Sequence, residues 1–181
     1  MSKARIIIIS GACGTGKSTI ARILAEQSGY ERAVNVHTDD FYAYIKKGYV
    51  SPWKPEAEQQ NTVVAETLAV CAENFAKGGY EVYVDGVIGP WFLDPWIKAA
   101  RGGTDIYYII LRPDLHTAVS RGVNRKGPHD LTDAAVIEKM WAAFADAGLY
   151  EAHVIDTSAQ TIEESVTAIK SMLDGDCLRI Y

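Results

Sequence analysis

The chain has few cysteines, fewer basic than acidic residues, and no long apolar run. The spacing of its three cysteines matches neither a disulfide framework nor a metal site. The 18 lysines and arginines are outnumbered by 23 aspartates and glutamates, which argues against nucleic acid as a partner, because nucleic-acid binding needs a basic surface. The run Ile6–Ile9 is too short for a signal peptide or a membrane span. We therefore expect a cytoplasmic protein with no membrane partner.

Alternating segments of the sequence predict an α/β fold in a single domain that spans residues 1–181. The length is close to that of one ordinary domain, and no linker or internal repeat divides it. Strands are predicted at 4–10, 34–38, 80–85, 105–111 and 154–156, and helices at 18–27, 39–47, 56–77, 94–100, 113–124, 132–147 and 161–173. Strands that alternate with helices imply a parallel sheet with helices on both faces.

The segment between the first strand and the first helix has the pattern of a phosphate-binding loop. It reads Gly-x-x-x-x-Gly-Lys-Ser, which predicts binding of ATP or a related nucleoside triphosphate with Mg²⁺. Glycines let the backbone approach the phosphates, and amides at the helix N-terminus attract them. Lys17 can reach the β- and γ-phosphates, and the Ser18 hydroxyl can bind Mg²⁺. The candidate nucleotide-binding residues are Gly11, Ala12, Cys13, Gly14, Thr15, Gly16, Lys17, Ser18, Thr19 and, further along the chain, Arg121.

Carboxylates follow two of the predicted strands. Ligands of a parallel sheet bind at the carboxyl ends of its strands, so these acids are candidates for the site. Asp85 is a candidate Mg²⁺ ligand, directly or through water, and the alternative is a solvated turn residue. Asp39 is the candidate base that takes the proton of an attacking hydroxyl. Asp40 is a candidate helix cap or substrate contact, although the two adjacent acids can exchange these roles.

Two arginines lie on one face of a predicted helix. Arg121 and Arg125 are four positions apart, which places them on neighbouring turns. We expect them to neutralise charge during phosphoryl transfer, with a lid at about residues 121–132 that closes over the triphosphate. The same loop contains Lys126 and His129. The alternative interpretation is a solvated helix face.

Aromatic residues gather near prolines in the predicted loops. Trp53 and Trp91 predict an apolar pocket for an acceptor molecule, and the alternative is ordinary core packing. Together with Gln60 they indicate an acceptor that has both apolar and hydrogen-bonding parts. The candidate substrate-binding residues are Asp39, Asp40, Trp53, Gln60 and Trp91.

These motifs resemble those of the small P-loop kinases, which include the nucleoside monophosphate, shikimate and gluconate kinases and chloramphenicol phosphotransferase. The resemblance implies a P-loop NTPase fold, a three-layer α/β/α sandwich whose five parallel strands have the order 2-3-1-4-5. It also implies a lid that closes on ATP. The likeness is specific in the phosphate loop, in Asp39, in Asp85-Gly86 and in the helix of Arg121 and Arg125.

A narrower likeness points to short uncharacterised P-loop kinases, some of them labelled cytidylate kinases. The segments similar to theirs are His37 to Asp40, Pro52-Trp53, Gln59 to Asn61 and Asp85 to Val87. The Pro-Arg that usually follows this third strand in adenylate kinases is absent, because Val87-Ile88-Gly89-Pro90 stands in its place.

The leading hypothesis is an ATP-dependent phosphotransferase, a kinase that transfers the γ-phosphoryl group to a hydroxyl of a small acceptor. Its cofactors would be ATP and Mg²⁺, and its candidate catalytic residues are Lys17, Asp39, Arg121 and Arg125. One alternative makes the acceptor a nucleoside monophosphate, which needs a cationic clamp. Another class of alternative is a nucleotide-binding switch or weak ATPase that has no acceptor.

Overall fold

A computed structural model describes residues 4–127 and 131–180. It contains five parallel strands in the order β2-β3-β1-β4-β5, with helices on both faces, so the predicted strand order and three-layer architecture are confirmed. The strands are β1 (Arg5–Ser10), β2 (Ala33–His37), β3 (Glu81–Gly86), β4 (Asp105–Leu111) and β5 (Val154–Ile155). The helices are α1 (Lys17–Glu26), α2 (Thr38–Ala43), α3 (Glu58–Lys77), α4 (Asp94–Arg101), α5 (Leu115–Val123), α6 (Ala134–Ala143) and α7 (Ile162–Leu173).

Strand β1 lies at the centre of the sheet and supplies both halves of the core. It pairs with β3 on one side and with β4 on the other. Ile6 and Ile8 pack in the core half that contains α3 and α4, whereas Ile7 and Ile9 pack with α1 and α7. All four side chains are fully buried, which explains why this strand shows no alternation of apolar and polar residues.

Helix α2 is shorter than predicted. It ends at Ala43, four residues before the predicted end at residue 47. The ammonium group of Lys46 folds back and donates to the carbonyl of Ala43 at 2.9 Å, which satisfies an acceptor at the helix end. The α2–α3 loop comprises residues 44–57. Within it Gly48 adopts a positive φ of 79°, which turns the chain.

The predicted helix at 132–147 is also shorter, and it begins at Ala134 and ends at Ala143. The guanidinium group of Arg112 donates to the carbonyls of Phe144 and Ala145, which therefore point away from a continuing helix. A short 3₁₀ helix, Gly148–His153, follows before β5 and was not predicted.

A C-terminal segment beyond α7 completes the edge of the sheet. Strand β5 pairs with only the last two residues of β4. Below it, the amide of Tyr108 donates to Leu178 and the amide of Ile180 donates to Ile106, each at 2.9 Å. This antiparallel contact was not predicted, because its partners lie about 70 residues apart and the segment has no strand pattern of its own.

The sheet brings the ends of β1, β2 and β3 together. Asp85 stands beside Ile9 on β1 and beside His37 on β2. The phosphate loop leaves β1 at this edge, and α2 leaves β2 there. Across residues 4–127 and 131–180, no helix is long and apolar enough to cross a membrane.

Replacing Ile8 by alanine should lower the free energy of unfolding by roughly 2–5 kcal/mol, because the cavity opens in the closely packed centre of the sheet. Urea unfolding followed by circular dichroism measures the change. Val70→Ala on the exposed face of α3 is the matched control and should stay within about 0.5 kcal/mol of the parent. Equal effects of the two substitutions would contradict this placement of the core.

Candidate active site

The phosphate loop depends on glycines at three positions. Gly11, Gly14 and Gly16 have φ values of 142°, 82° and 88°, a region that side-chain-bearing residues rarely adopt. Gly14 is also crowded, since a Cβ atom there would lie 2.2 Å from the carbonyl oxygen of Ala118 on α5. The phosphate loop therefore packs tightly against α5, the helix that carries Arg121.

The backbone amides of the loop are available to an anion. Among the residues described, the N–H groups of Gly14, Gly16 and Lys17 donate to no protein acceptor, and the last of them opens α1. Ser18 and Thr19 follow in the first turn of that helix. Such a nest at a helix N-terminus fits the phosphates of a nucleotide.

Lys17 lies across the phosphate loop. Its ammonium group donates to the carbonyl of Ala12 at 3.2 Å, and the hydroxyl of Thr15 donates to the same oxygen at 3.0 Å. Burial of the side chain lowers the pKa of Lys17, which is partly opposed by nearby acidic groups that include Asp39 and Asp85. A phosphate oxygen would be a stronger partner for this cation than a carbonyl.

His37 joins the two acidic residues of the site. Its Nδ1 lies 2.7 Å from Oδ1 of Asp85, and its Nε2 lies 3.3 Å from Oδ2 of Asp39. The hydrogen bonds to Asp39 and to Asp85 raise the pKa of His37 from 6.5 to about 10, against the opposing effect of burial. The imidazole is therefore a cation held between two carboxylates.

Asp85 is a buried carboxylate with hydrogen bonds from several elements. Its second oxygen accepts from Asn35 Nδ2 at 2.9 Å, and only 1% of its side chain is exposed. Burial acts to raise the pKa of Asp85, but hydrogen bonds from His37, Ser18 and Asn35 outweigh it, so the pKa stays below its ordinary value.

Ser18 and Asp85 lie together and can hold Mg²⁺. Their oxygens are the hard ligands that Mg²⁺ prefers, and the ion usually completes its shell with phosphate oxygens and water. The described residues contain no group of three or more candidate metal-binding side chains, as expected where most ligands come from the nucleotide and water. The roles predicted for these two residues stay predictions.

Asp39 is the exposed member of this network. Its side chain is 76% exposed and lies on a cavity of about 1160 Å³ that Lys17 and Ser18 also line. The hydrogen bond to His37 is the main cause that lowers the pKa of Asp39, so the group is an ionised acceptor at neutral pH.

The two arginines do not share a helical face as predicted, because α5 ends at Val123 and Arg125 lies beyond it. Arg125 lines the cavity and donates from Nη1 to Cys13 Sγ at 3.1 Å, beside the phosphate loop. Arg121 does not line the cavity; it donates to the carbonyl of Thr157 at 3.3 Å. The hydroxyl of Thr157 is buried and has no protein partner among the residues described, so it can serve a nucleotide beside Arg121.

Part of the predicted lid lies outside the described residues, including His129. Its described part covers residues 121–127 and 131–132. Within it α5 ends at Val123, and Arg125, Gly127 and Leu131 line the cavity. Lys126 is exposed and does not line it.

Of the predicted substrate-binding residues, Trp53 and Trp91 line the cavity, whereas Asp40 and Gln60 do not. Gln60 instead accepts from the amide of Val50 at 2.9 Å and donates to its carbonyl at 2.7 Å. Its side chain thereby fastens the α2–α3 loop to α3.

The sequence interpretation missed several polar residues of the site. His37 was not among the candidate site residues, and neither was Asn35. These two residues alternate along β2 and so face the same side, a signal that could have paired them. Asn61 is nearly buried and donates to the carbonyl of Pro52 at 2.8 Å, while Tyr42 donates to Asn61 at 3.0 Å.

The chain matches a family model described as "AAA domain" over residues 7–140, well over half of its length. The chain therefore belongs to this P-loop family. A comparison with curated proteins found no match.

Solved structures of several kinases have the same fold. A sugar kinase from Janibacter sp. HTCC2649 is 19% identical with a TM-score of 0.71, covering 94% of this chain and 95% of that one. A gluconokinase from Sinorhizobium meliloti 1021 is 16% identical with a TM-score of 0.61 and 96% coverage of both chains. An APS kinase from Mycobacterium tuberculosis is 13% identical with a TM-score of 0.62, covering 96% and 99%. They confirm the predicted resemblance to small P-loop kinases at the level of the fold.

We expect the His37 imidazole to stay protonated in Mg²⁺-free protein until the pH approaches about 10. Two carboxylates stabilise the cation, and Asp39→Asn should lower the pKa because one of them loses its charge. NMR titration of the imidazole nitrogens measures both values. A midpoint near 6.5 in the unchanged protein would contradict the bridged arrangement.

The same shift predicts how stability depends on pH. A pKa raised in the folded state stabilises the fold fully below the unfolded pKa of about 6.5, and this contribution fades as the pH rises through about 10. His37→Gln should therefore destabilise the protein most at about pH 6 and progressively less toward pH 10. Urea titrations across this range measure the difference.

Proposed function

We propose that the protein is an ATP-dependent kinase that transfers the γ-phosphoryl group to a hydroxyl of a small acceptor molecule. The observation that carries the proposal is the common cavity of Lys17, Ser18 and Asp39. These residues supply, in one space, a group for the phosphates, a group for Mg²⁺ and an exposed carboxylate for the acceptor. The cavity extends beyond the phosphate loop, and this additional space can hold a second substrate.

The phosphate loop and Lys17 would hold ATP. The unpaired amides and the ammonium group fit the β- and γ-phosphates, and the hydroxyl of Ser18 fits Mg²⁺. Bound Mg²⁺ supplies positive charge that neutralises the phosphoryl oxygens. Asp85 would orient Ser18 and the water shell from its buried position.

Asp39 would orient the acceptor hydroxyl and accept its proton. Its lowered pKa keeps it ionised, and its exposure on the cavity lets an acceptor approach. His37 fixes the carboxylate from behind by a hydrogen bond, while its other nitrogen is held by Asp85. The acceptor oxygen then forms a bond to the γ-phosphorus as the bond to the β-phosphate oxygen breaks, and ADP leaves.

The arginines would neutralise charge around the triphosphate. Arg125 lies beside the phosphate loop, where it can contact the transferring group. Arg121 lies beside Thr157, a position that suits the nucleoside part of ATP more closely than the transferred phosphoryl group.

The nucleoside monophosphate alternative has less support. A phosphate on the acceptor needs a clamp, for which arginine is the usual residue. Beyond the phosphate loop and its neighbour Arg125, the cationic side chains that line the described cavity are His37, which already lies between Asp39 and Asp85, and the exposed Lys46 and Lys139. The size of the cavity also favours a kinase over a nucleotide switch that has no acceptor.

Asp39→Asn should lower kcat by about 10²–10⁴-fold while the affinity for Mg·ATP changes little, because the lost group acts on the acceptor proton. Coupled measurement of ADP release gives kcat, and calorimetry gives nucleotide affinity. Asp40→Asn removes an equal charge one residue away and outside the cavity, so it should retain most activity. The reverse ranking would make Asp40 the base, and unchanged turnover in both variants would remove the base from the mechanism.

A further inference from the structure

We infer that the acceptor is a neutral alcohol carried on a planar ring, and that an aromatic wall of the cavity selects it. The inference rests on the proposed kinase function and names its substrate class. The aromatic wall is defined as the lining residues Tyr42, Tyr49, Trp53, Trp91, Trp96 and Phe144.

Aromatic side chains are concentrated in this cavity. With Phe92 they make seven of its thirty lining residues, whereas aromatic residues make up 10% of the chain. Two of the tryptophans remain substantially exposed, Trp53 at 39% and Trp91 at 50%. Exposed indole faces on a concave surface gain most when an apolar planar ligand covers them.

Trp91 is held in place by its neighbours. Its ring lies 5.3 Å from the ring of Phe144, centroid to centroid. Gly89 makes room for it, because a Cβ atom at that position would come within 2.3 Å of the indole. The indole therefore presents a face that is positioned before a ligand arrives.

The loop that carries Trp53 is also fastened. Gln60 binds both backbone groups of Val50, and Asn61 binds the carbonyl of Pro52 next to Trp53. These amides are occupied by the protein itself. They position the wall. Few side-chain amides are then left to form hydrogen bonds with a polyhydroxylated ligand.

The cationic side chains of the cavity are placed for partners other than an acidic acceptor: Lys17 and Arg125 lie at the phosphate loop, and His37 lies between Asp39 and Asp85. Asp39 is the one carboxylate among its described lining residues, and it would face the reacting hydroxyl. Lys46 and Lys139 are exposed, and Lys46 is already bonded to the carbonyl of Ala43. A sugar acid or a phosphorylated acceptor would need a clamp of cationic side chains, and these two lysines do not form one. A neutral ring needs none.

The wall contains one buried polar group of its own. Trp96 is fully buried, and its indole N–H has no hydrogen-bond partner among the residues that the structure describes. Because the indole is fully buried, a ligand could pair with this N–H only if the wall moved to expose it.

Matched pairs of acceptors test the inference, with ADP release measured under Mg·ATP and products identified by ³¹P NMR. The pairs are phenylpropanol with propanol, and cytidine with cytidine monophosphate; gluconate represents the sugar acids. We expect the ring-bearing neutral alcohol of at least one pair to be phosphorylated about tenfold or more faster than its partner and than gluconate, since burial of one aromatic ring is worth at least that factor.

Variants of the wall give a second readout. Trp53→Ala should raise KM for the ring-bearing alcohol about tenfold, with kcat and the KM for ATP within about twofold, and Trp53→Phe should restore most of the affinity. Val70→Ala, exposed on α3 and away from the cavity, should leave all constants unchanged.

The outcomes separate this inference from the proposed function. Phosphorylation of gluconate in preference to the neutral ring alcohols would overturn the substrate class and leave the proposed transfer to a hydroxyl standing. Conversion of cytidine monophosphate to the diphosphate in preference to them would overturn both, in favour of the monophosphate kinase. If no acceptor were phosphorylated and ring alcohols left the tryptophan fluorescence unchanged, the substrate class and the kinase proposal would both fail.

Discussion

The candidate site depends on one buried carboxylate that has to be compensated. Asp85 lies at the end of β3, out of contact with water, and an isolated charge there would be strongly unfavourable. Compensation comes from His37 and Asn35 on β2 and from Ser18 on α1. The carboxylate therefore ties two strands and the phosphate-loop helix together at the edge where ligands of a parallel sheet bind. The same charge makes His37 a cation, and that cation holds Asp39 against the cavity.

The cavity combines two kinds of surface that follow from different parts of the chain. The phosphate side is backbone, shaped by glycines with positive φ, and any nucleoside triphosphate could occupy it. The aromatic wall consists of side chains from α2, the α2–α3 loop, the segment after β3, α4 and the end of α6. Loops of this kind can vary without loss of the core, because the sheet carries the fold. In the proposed kinase the acceptor would therefore be selected where the chain is least constrained by the fold.

The side-chain amides of Gln60 and Asn61 hold the α2–α3 loop in place, and that loop carries part of the aromatic wall. Gln60 was a candidate substrate contact from sequence, yet the amide groups of both residues bond to the backbone of the α2–α3 loop. A buried backbone group without a partner is costly, so side chains that satisfy it hold the loop in one conformation. The exposed Trp53 owes its position to these bonds.

The sequence by itself determined the parallel sheet, the phosphate loop and the positions of Asp39 and Asp85 at strand ends. The strand order followed from the resemblance to small P-loop kinases. These features depend on local patterns: β-branched runs, glycines and the residue that follows a strand. Only the tertiary structure decided that His37 bridges two acids, that Gln60 fastens a loop, that Arg121 reaches Thr157, and that the C-terminal segment pairs with β4. Each of these contacts joins groups that are far apart in the chain or that have several possible partners. Burial and packing decide which partner is chosen, and a local sequence pattern does not predict either.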